Sequence, residues 1–198
     1  MNLKTKFYAH SSAVVEDGAE IGEGTKIWHN CQIRTGANIG QNCILGKGVF
    51  VDSGVKIGDN VKIQNYVSVY HGVTIENGVF VGPHVCFTND LLPRAVNKDG
   101  SPKLVDDWMV SPILIQEGVS LGANSTIRCD ITVGAWAMVG AGSVATKDIP
   151  SYGLVYGNPA VLHGYVCKCG RKMIKRKENG EGSIFYCQTC DEEINIKG

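Results

Sequence analysis

Large apolar residues recur at every sixth position over most of this chain of 198 residues. The first series has thirteen members without a gap: Val15, Ile21, Ile27, Ile33, Ile39, Leu45, Val51, Ile57, Ile63, Val69, Ile75, Val81 and Phe87. A second series contains Ile115, Leu121, Ile127, Val133 and Val139. A period of six excludes an α-helix, which repeats about every 3.6 residues. The step of 28 between Phe87 and Ile115 is not a multiple of six, so a loop interrupts the repeat.

Two further positions of each six-residue unit indicate a corner. The fourth is usually Gly or Asn, which enter the left-handed backbone region most easily: Gly18, Gly24, Asn30, Gly36, Asn42, Gly48, Gly54, Asn60, Gly72 and Gly78. The fifth is small or β-branched. Three such corners make a triangular coil of 18 residues, and stacked coils form parallel strands around one apolar core. We therefore predict an all-β fold, a parallel β-helix.

Residues 18 apart should lie on neighbouring coils, roughly 4.8 Å from each other. His71 and Asn89 are therefore predicted to be stacked neighbours, beside the point where a loop of about 90–112 leaves the helix. A long loop inside a strict repeat is usually functional, although a plain surface excursion or an arm that clasps a neighbouring subunit is the alternative. Several polar and aromatic residues interrupt the repeat, and as a set they suggest one ligand groove: Trp28, His29, Gln64, Asn65, Tyr66, Tyr70, His71, His84 and Asn89.

Charge and hydropathy argue against several classes of protein. Lys and Arg number 19 and are balanced by 19 Asp and Glu, so there is no basic excess for nucleic acid. No apolar run approaches the roughly 18 residues that span a membrane. Residues 1–12 lack the apolar stretch of a secretory signal. We expect a cytoplasmic protein that binds neither nucleic acid nor membrane.

Four of the eight cysteines cluster near the end of the sequence and predict a metal site. They form two pairs separated by 17 residues: Cys167 and Cys169, then Cys187 and Cys190. Four thiolates suit a tetrahedral, structural Zn²⁺ ion, and the metal would stabilise a segment with few large apolar side chains. The one-residue gap in the first pair is shorter than usual for a zinc ribbon. Iron, free thiols and two disulfides are the alternatives.

The length allows one large domain and a small appendage. We predict an N-terminal lead-in over 1–14, a β-helix over 15–150, a connecting segment over 151–166 and a zinc-ribbon-like module over 167–198.

Six motifs carry a resemblance to a known family. They are IWHN (27–30), KIQNYVSVYHGV (62–73), VFVGPHVCFTNDLLPRA (79–95), LGANSTI (121–127), VGAGSVATKDIP (139–150) and GNPA (157–160). Over about residues 8–164 the chain resembles the hexapeptide-repeat acyltransferases. Within them it is similar to N-acetyltransferases of nucleotide-linked 3-amino sugars in surface polysaccharide pathways, including lipopolysaccharide biosynthesis. The resemblance implies a left-handed coil, a homotrimer with active sites between subunits, and transfer from acetyl-CoA to a substrate such as UDP-2-acetamido-3-amino-2,3-dideoxy-glucuronate.

The same resemblance implies roles for individual residues. It places Asn89 beside the sugar amine or the acetyl carbonyl. His71 departs from the family pattern, which is often acidic there. Acetyl-CoA is expected along the later coils, with its adenine and phosphates near Lys147 and Pro159. The predicted cofactor residues are Gly122, Ala123, Gly140, Ala141, Lys147 and Pro159.

The chemistry of the remaining residues is read from their types. The attacking amine must lose a proton, and a histidine can accept one near neutral pH, so we hypothesise that Asn89 positions and His71 assists. The guanidinium of Arg94 suits a sugar carboxylate or a diphosphate. Further substrate contacts are predicted for His29, Gln64, Asn65 and Tyr70.

Three alternatives remain open on the same fold. One is acetylation of a sugar hydroxyl or of serine, and another is a non-catalytic scaffold. A γ-type carbonic anhydrase is disfavoured, because it needs three histidine ligands with two of them five residues apart. No pair of histidines in this sequence has that spacing: His10, His29, His71, His84 and His163.

Overall fold

The computed structural model describes residues 7–179 and 182–196. Residues 1–6 of the predicted lead-in, and 180–181 and 197–198 of the predicted module, lie outside the described residues. The strands in chain order are β1 (Tyr8–Ala9), β2 (Val14–Val15), β3 (Glu20–Ile21), β4 (Lys26–Ile27), β5 (Gln32–Ile33), β6 (Asn38–Ile39), β7 (Ile44–Leu45), β8 (Phe50–Val51), β9 (Lys56–Ile57), β10 (Lys62–Ile63), β11 (Ser68–Val69), β12 (Val73–Ile75), β13 (Phe80–Val81), β14 (Cys86–Phe87), β15 (Ile113–Ile115), β16 (Ser120–Leu121), β17 (Thr126–Ile127), β18 (Ile131–Val133), β19 (Met138–Val139), β20 (Val144–Ala145), β21 (Gly153–Gly157), β22 (Ala160–Tyr165), β23 (Ile174–Asn179), β24 (Gly182–Cys187) and β25 (Glu192–Ile196). One 3-10 turn covers Val105–Asp107.

The strands up to β20 wind into three parallel sheets, as the period of six predicts. Sheet A contains β1, β4, β7, β10, β13, β16 and β19, sheet B runs from β2 to β20, and sheet C runs from β3 to β18. Before the interruption, paired residues are 18 apart, as in Lys26 with Ile44. All ten Gly and Asn residues predicted at corners have a positive φ. The structure confirms the predicted all-β solenoid.

The core of the solenoid is formed by the apolar series and by the small residues that follow each corner. Side chains such as Ile33, Leu45 and Phe87 are fully buried or nearly so. Cys31 and Cys43 are also buried, and their thiols donate to the carbonyl oxygens of Gly46 and Gly58 on the next coil. Since these thiols replace aliphatic side chains in the core, they are structural and distinct from the cysteines near the end of the chain.

Three columns of turns connect the sheets. We call them corner AB (turns from 10–13 to 140–143), corner BC (from 16–19 to 146–148) and corner CA (from 22–25 to 134–137). At corner BC one turn is replaced by residues 88–112. Across this segment the pairing offset grows to 40, as in Phe80 with Ser120, so the coil contains 22 extra residues. The backbone N–H of Ser111 donates to the carbonyl of Asn89 and closes the base of the segment.

The end of the described chain extends the solenoid and adds a second small sheet. Strand β21 pairs with β19 in parallel and β22 returns antiparallel, both in sheet A. Strands β23, β24 and β25 form an antiparallel sheet. A second apolar cluster lies beneath it: Cys167, Met173, Phe185, Cys187 and Ile196. Among the described residues, no helix has the length and hydropathy to cross a membrane.

Candidate active site

His71 and Asn89 are neighbours on adjacent coils of corner BC, as the 18-residue coil predicts. The side-chain amide of Asn89 lies 3.5 Å from the carbonyl oxygen of His71, a long hydrogen bond. Asn89 is half-buried and His71 is exposed. The coil therefore brings an amide donor and an imidazole together at the base of the 88–112 segment.

The ring of His71 is held by the coil below it. Its Nδ1 atom lies 2.7 Å from the carbonyl oxygen of Ser53, which can only accept a hydrogen bond. The backbone N–H of His71 also donates to the carboxylate of Asp52 at 3.3 Å, and Asp52 accepts from Arg34 at 2.9 Å. Because Nδ1 must carry the proton in this contact, the neutral ring presents Nε2 as its basic nitrogen.

The 88–112 segment, which we call the arm, forms a pocket of about 440 Å³ around Asn89. Its lining includes Asp90, Arg94, Lys103 and Trp108. Arg94 and Asn89 therefore share one pocket, as their predicted roles require. The guanidinium of Arg94 donates to the carbonyl of Pro93 at 3.0 Å, and Arg94 is exposed.

Internal hydrogen bonds order the arm. The carboxylate of Asp107 accepts from the backbone N–H of Leu104 at 2.8 Å and from the amide of Asn97 at 3.1 Å. These two bonds hold the pKa of Asp107 below its ordinary value. The arm therefore has a defined conformation, although it lies outside the repeat.

The remaining predicted substrate residues do not form one groove with these. Gln64, Asn65 and His29 lie at corner AB and line a second pocket of about 370 Å³ with Trp28 and Lys47. Tyr70 lies at corner BC, where its ring packs 6.0 Å from that of Phe50. The prediction of one groove is corrected, because the two sets project from corners separated by the strands of sheet B.

Lys62 also lines the corner AB pocket, although it is not among the residues predicted from the sequence to bind substrate. It occupies the outward position of β10, next to the buried Ile63. The alternation of inward and outward residues along the strand was the signal that would have identified it.

The predicted cofactor residues are spread over the last coils. Gly122, Ala123, Gly140 and Ala141 lie at corner AB on adjacent coils, Lys147 lies at corner BC, and Pro159 lies between β21 and β22.

The close stacking of the coils is sufficient to explain why glycine occupies positions 122 and 140. A Cβ atom on Gly122 would collide with the backbone nitrogen of Ala141. The backbone N–H groups of Ala123 and Ala141 have no acceptor within the described part of the chain. These two amides are therefore available to a ligand.

The four cysteines near the end lie close together. Their sulfur atoms are all within 4.8 Å of one another. The sulfurs of Cys167 and Cys190 are 3.8 Å apart, and those of Cys169 and Cys187 are 3.7 Å apart. A tetrahedron of sulfurs around zinc has edges of about 3.8 Å when each Zn–S bond is about 2.3 Å. The cluster therefore has the dimensions of a tetrahedral thiolate site.

Comparison with known families agrees with the repeat. The family described as bacterial transferase hexapeptide (six repeats) matches residues 10–53 and 54–89. The hexapeptide repeat of succinyl-transferase matches residues 36–71 and 112–147. Together these matches span 10–89 and 112–147, which is more than half of the chain.

Two curated relatives match part of the sequence. The dTDP-3-amino-3,6-dideoxy-alpha-D-galactopyranose 3-N-acetyltransferase of Aneurinibacillus thermoaerophilus is 55% identical over 60 residues, which is 30% of this chain and 31% of that protein. Serine acetyltransferase 4 of Arabidopsis thaliana is 54% identical over 52 residues, which is 26% of this chain and 15% of that protein. The matches thus span less than a third of either relative.

A solved structure agrees with the fold over a longer part of the chain. The hexapeptide-repeat acetyltransferase of Vibrio cholerae O1 biovar eltor, determined with acetyl coenzyme A, superposes with a TM-score of 0.54 at 26% sequence identity. The superposition covers 66% of this chain and 70% of that one. From the six-residue period, the three parallel sheets and these matches, we conclude that the chain belongs to the hexapeptide-repeat family.

Proposed function

We propose that the protein is an acetyl-CoA-dependent N-acetyltransferase that acts on the amine of a nucleotide-linked 3-amino sugar. The observation that carries this proposal is the contact between His71 and Asn89, a residue that lines the arm pocket. The relative from Aneurinibacillus thermoaerophilus, named for 3-N-acetylation of a dTDP-linked amino sugar, supports this substrate class.

The chemistry needs a neutral amine held against a thioester carbonyl. The amine nitrogen forms a bond to the carbonyl carbon, and the carbon–sulfur bond then breaks to release coenzyme A as its thiol. Holding the two reactants together provides much of the rate. Nε2 of His71 accepts the proton that the amine loses, because Nδ1 is engaged with Ser53. The imidazolium then returns this proton to the departing thiolate, so coenzyme A leaves as its thiol. The side chain of Asn89 either orients the sugar amine or donates a hydrogen bond to the oxyanion that develops on the acetyl carbonyl.

Arg94 is the proposed determinant of substrate charge. It shares the arm pocket with Asn89, and its guanidinium suits a carboxylate or a diphosphate. A uronate such as UDP-2-acetamido-3-amino-2,3-dideoxy-glucuronate offers both groups. Tyr70 at the same corner is the proposed wall of the sugar site. The proposed contacts to the rest of the substrate come from His29, Gln64 and Asn65.

Acetyl-CoA is proposed to bind along the last coils. The free N–H groups of Ala123 and Ala141 are suitable donors for the amide carbonyls of pantetheine, while Gly122 and Gly140 allow the coils to stack. Lys147 and Pro159 are proposed to lie near the phosphates and the adenine. The acetyl coenzyme A complex of the Vibrio cholerae acetyltransferase supports this cofactor.

A homotrimer with sites between subunits is the proposed assembly, with coils that wind left-handed. The outward residues of sheet B support an interface there. They carry no charge in any of the seven strands: Val14, Gln32, Phe50, Ser68, Cys86, Thr126 and Val144. This face lies between corners AB and BC, so a second copy packed on it would border both pockets.

We propose that Cys167, Cys169, Cys187 and Cys190 hold one structural Zn²⁺ ion. Two sulfur–sulfur distances of 3.8 Å and 3.7 Å support this assignment, since they match the edge of a tetrahedral site. A site closed by four thiolates has no open position for substrate, so the metal would stabilise the module over 167–198. The proposed domains are otherwise the lead-in over 1–14, the β-helix over 15–150 and the connecting segment over 151–166. Clustered thiols also suit a reducing, cytoplasmic location.

The test is an acetyl-transfer assay that follows thiol release. The acceptors are 3-amino and 4-amino sugars on UDP and dTDP, each with and without a carboxylate at C6, and serine as a further acceptor. We expect turnover on a 3-amino sugar, with a preference for the carboxylate that disappears in Arg94→Gln. Turnover on serine alone would replace the proposed function with O-acetylation.

A further inference from the structure

The corner AB pocket has the composition of a site for an anionic, ring-containing ligand. Lys47 and Lys62 line it together with the amides of Gln64 and Asn65. None of the described residues that line it carries a carboxylate. A cluster of two cations and two amides without a counter-charge favours a phosphorylated ligand.

An exposed aromatic surface forms one wall of this pocket. Trp28 is 38% exposed although it is a large ring. Tyr8 supports it edge-on, with the ring centroids 5.6 Å apart. The His29 ring lies parallel to the indole, with 6.3 Å between the ring centroids, and itself stacks on His10 at 3.5 Å. These neighbours hold the indole in place, and its exposed part can stack with a planar ligand.

The opposite side of the corner carries backbone strain. Tyr66 and His84 occupy the left-handed region with φ of 57° and 58°, where earlier coils have Gly or Asn. A bulky residue there costs about 1–2 kcal/mol. The two rings stack at 5.4 Å, and the ammonium of Lys47 lies 5.6 Å from the centre of the Tyr66 ring.

Glycine at position 48 makes room for this arrangement. A Cβ atom on Gly48 would lie 2.7 Å from the ring of Tyr66. Such strain persists where the surrounding structure imposes it, most often at functional sites. Here the strained backbone fixes the Tyr66 ring, and the ring positions the ammonium of Lys47 at the edge of the pocket.

From these features we infer that the corner AB pocket binds a nucleoside diphosphate. The base stacks on Trp28, and the diphosphate is paired with Lys47 and Lys62. The inference rests on the proposed function, because the proposed sugar substrate carries a nucleoside diphosphate, whereas the adenine and phosphates of coenzyme A are proposed to lie on the last coils. The pocket lies across sheet B from His71 and Asn89, so it holds a part of the substrate that does not react.

Calorimetry on the full-length protein tests this inference with three ligands: UDP, dTDP and adenosine 3′,5′-diphosphate. The variant is the double substitution Lys47→Gln with Lys62→Gln, and the control is Lys56→Gln, an exposed lysine on the outward side of β9 in sheet C. Loss of each charged contact weakens binding about tenfold. We expect UDP or dTDP to bind about a hundredfold more weakly to the double variant, which lacks two such contacts, and more weakly to Trp28→Ala, with no loss in the control.

The identity of the affected ligand decides the assignment. Weaker binding of UDP or dTDP supports a site for the sugar nucleotide, and weaker binding of adenosine 3′,5′-diphosphate alone would overturn the inference and assign the pocket to coenzyme A. Unchanged affinities in the double variant, or no binding of any of the three to the wild type, would overturn the inference. Acetyl transfer measured on the same samples separates the two proposals. If the protein acetylates an amino sugar but binds no nucleotide at this pocket, only the inference is wrong. If it binds nucleotide there but acetylates no amino sugar, only the proposed function is wrong.

Discussion

The Nδ1 atom of His71 lies 2.7 Å from the backbone carbonyl oxygen of Ser53, one coil below it. This contact orients the ring and leaves Nε2 as the basic nitrogen. If Nε2 accepts the proton of the attacking amine, His71→Gln should lower kcat by about 10²–10⁴-fold. A variant that turns over at the wild-type rate at every pH from about 6 to 9 would exclude the role of base.

Asn89 should affect chemistry more than binding. Removal of a single oxyanion donor typically lowers kcat by about 10²–10³-fold. We expect this loss in Asn89→Ala, with little change in the KM for acetyl-CoA, because the proposed cofactor residues are on later coils. Steady-state kinetics with both substrates varied checks this. A pure rise in KM with normal kcat would show that Asn89 only binds substrate.

Removal of the metal should affect the end of the chain first. The wild type should hold one zinc per chain by elemental analysis, and Cys187→Ser should lose it. The control is Cys86→Ser, an exposed cysteine outside the cluster. Because Lys168 lies 4.9 Å from the Trp136 ring, release of the module should change tryptophan fluorescence before the β-helix unfolds. Zinc content at background in the wild type would contradict the proposed site.

The stacked corners predict a difference between two glycines with the same backbone conformation. Gly78 has a φ of 68° and open space at its Cβ position, whereas Gly118 has a φ of 69° and the Trp136 ring 2.5 Å away. Gly78→Ala should lower the free energy of unfolding by about 1–2 kcal/mol through the left-handed backbone alone. Gly118→Ala should lose a further 1–3 kcal/mol through overpacking. Equal losses in denaturant titrations would show that the ring moves aside freely.

Acid should loosen the arm through Asp107. Hydrogen bonds from Leu104 and Asn97 hold its pKa below the ordinary value of 3.8 in the folded chain. A depressed pKa stabilises the fold above the unfolded value, and that contribution is lost as the pH falls through the folded value. Protection of the Leu104 amide from hydrogen exchange should therefore be present at neutral pH and lost below pH 3.8.

The matched variants for this prediction are Asp107→Ala and Asp106→Ala. The first should abolish the protection at neutral pH, and the second should preserve it, because only Asp107 accepts from Leu104. Protection of Leu104 that is the same in both variants would show that other contacts order the arm.

The repeat made the solenoid predictable, because every coil needs the same left-handed corners and the same inward apolar residues. Gly and Asn mark ten of the corners, and the 18-residue spacing brings His71 next to Asn89. Tyr66 and His84 were not predictable as left-handed residues from their own preferences, since the stack of coils imposes that conformation on them. The arm has no period, so its order depends on particular bonds such as that between Asn97 and Asp107. The predicted groove divides into two pockets because its residues belong to turns at two different corners, AB and BC.

The most direct test of the central claim uses two nucleotide sugars that differ only at C3, one with an amine and the other with a hydroxyl. Each is incubated with acetyl-CoA and the wild-type protein, and the product is identified by mass spectrometry together with the released thiol. We predict an acetamido product and one equivalent of thiol from the amine sugar alone. Acetylation of the hydroxyl sugar in preference to the amine, or no thiol release with either, would contradict it.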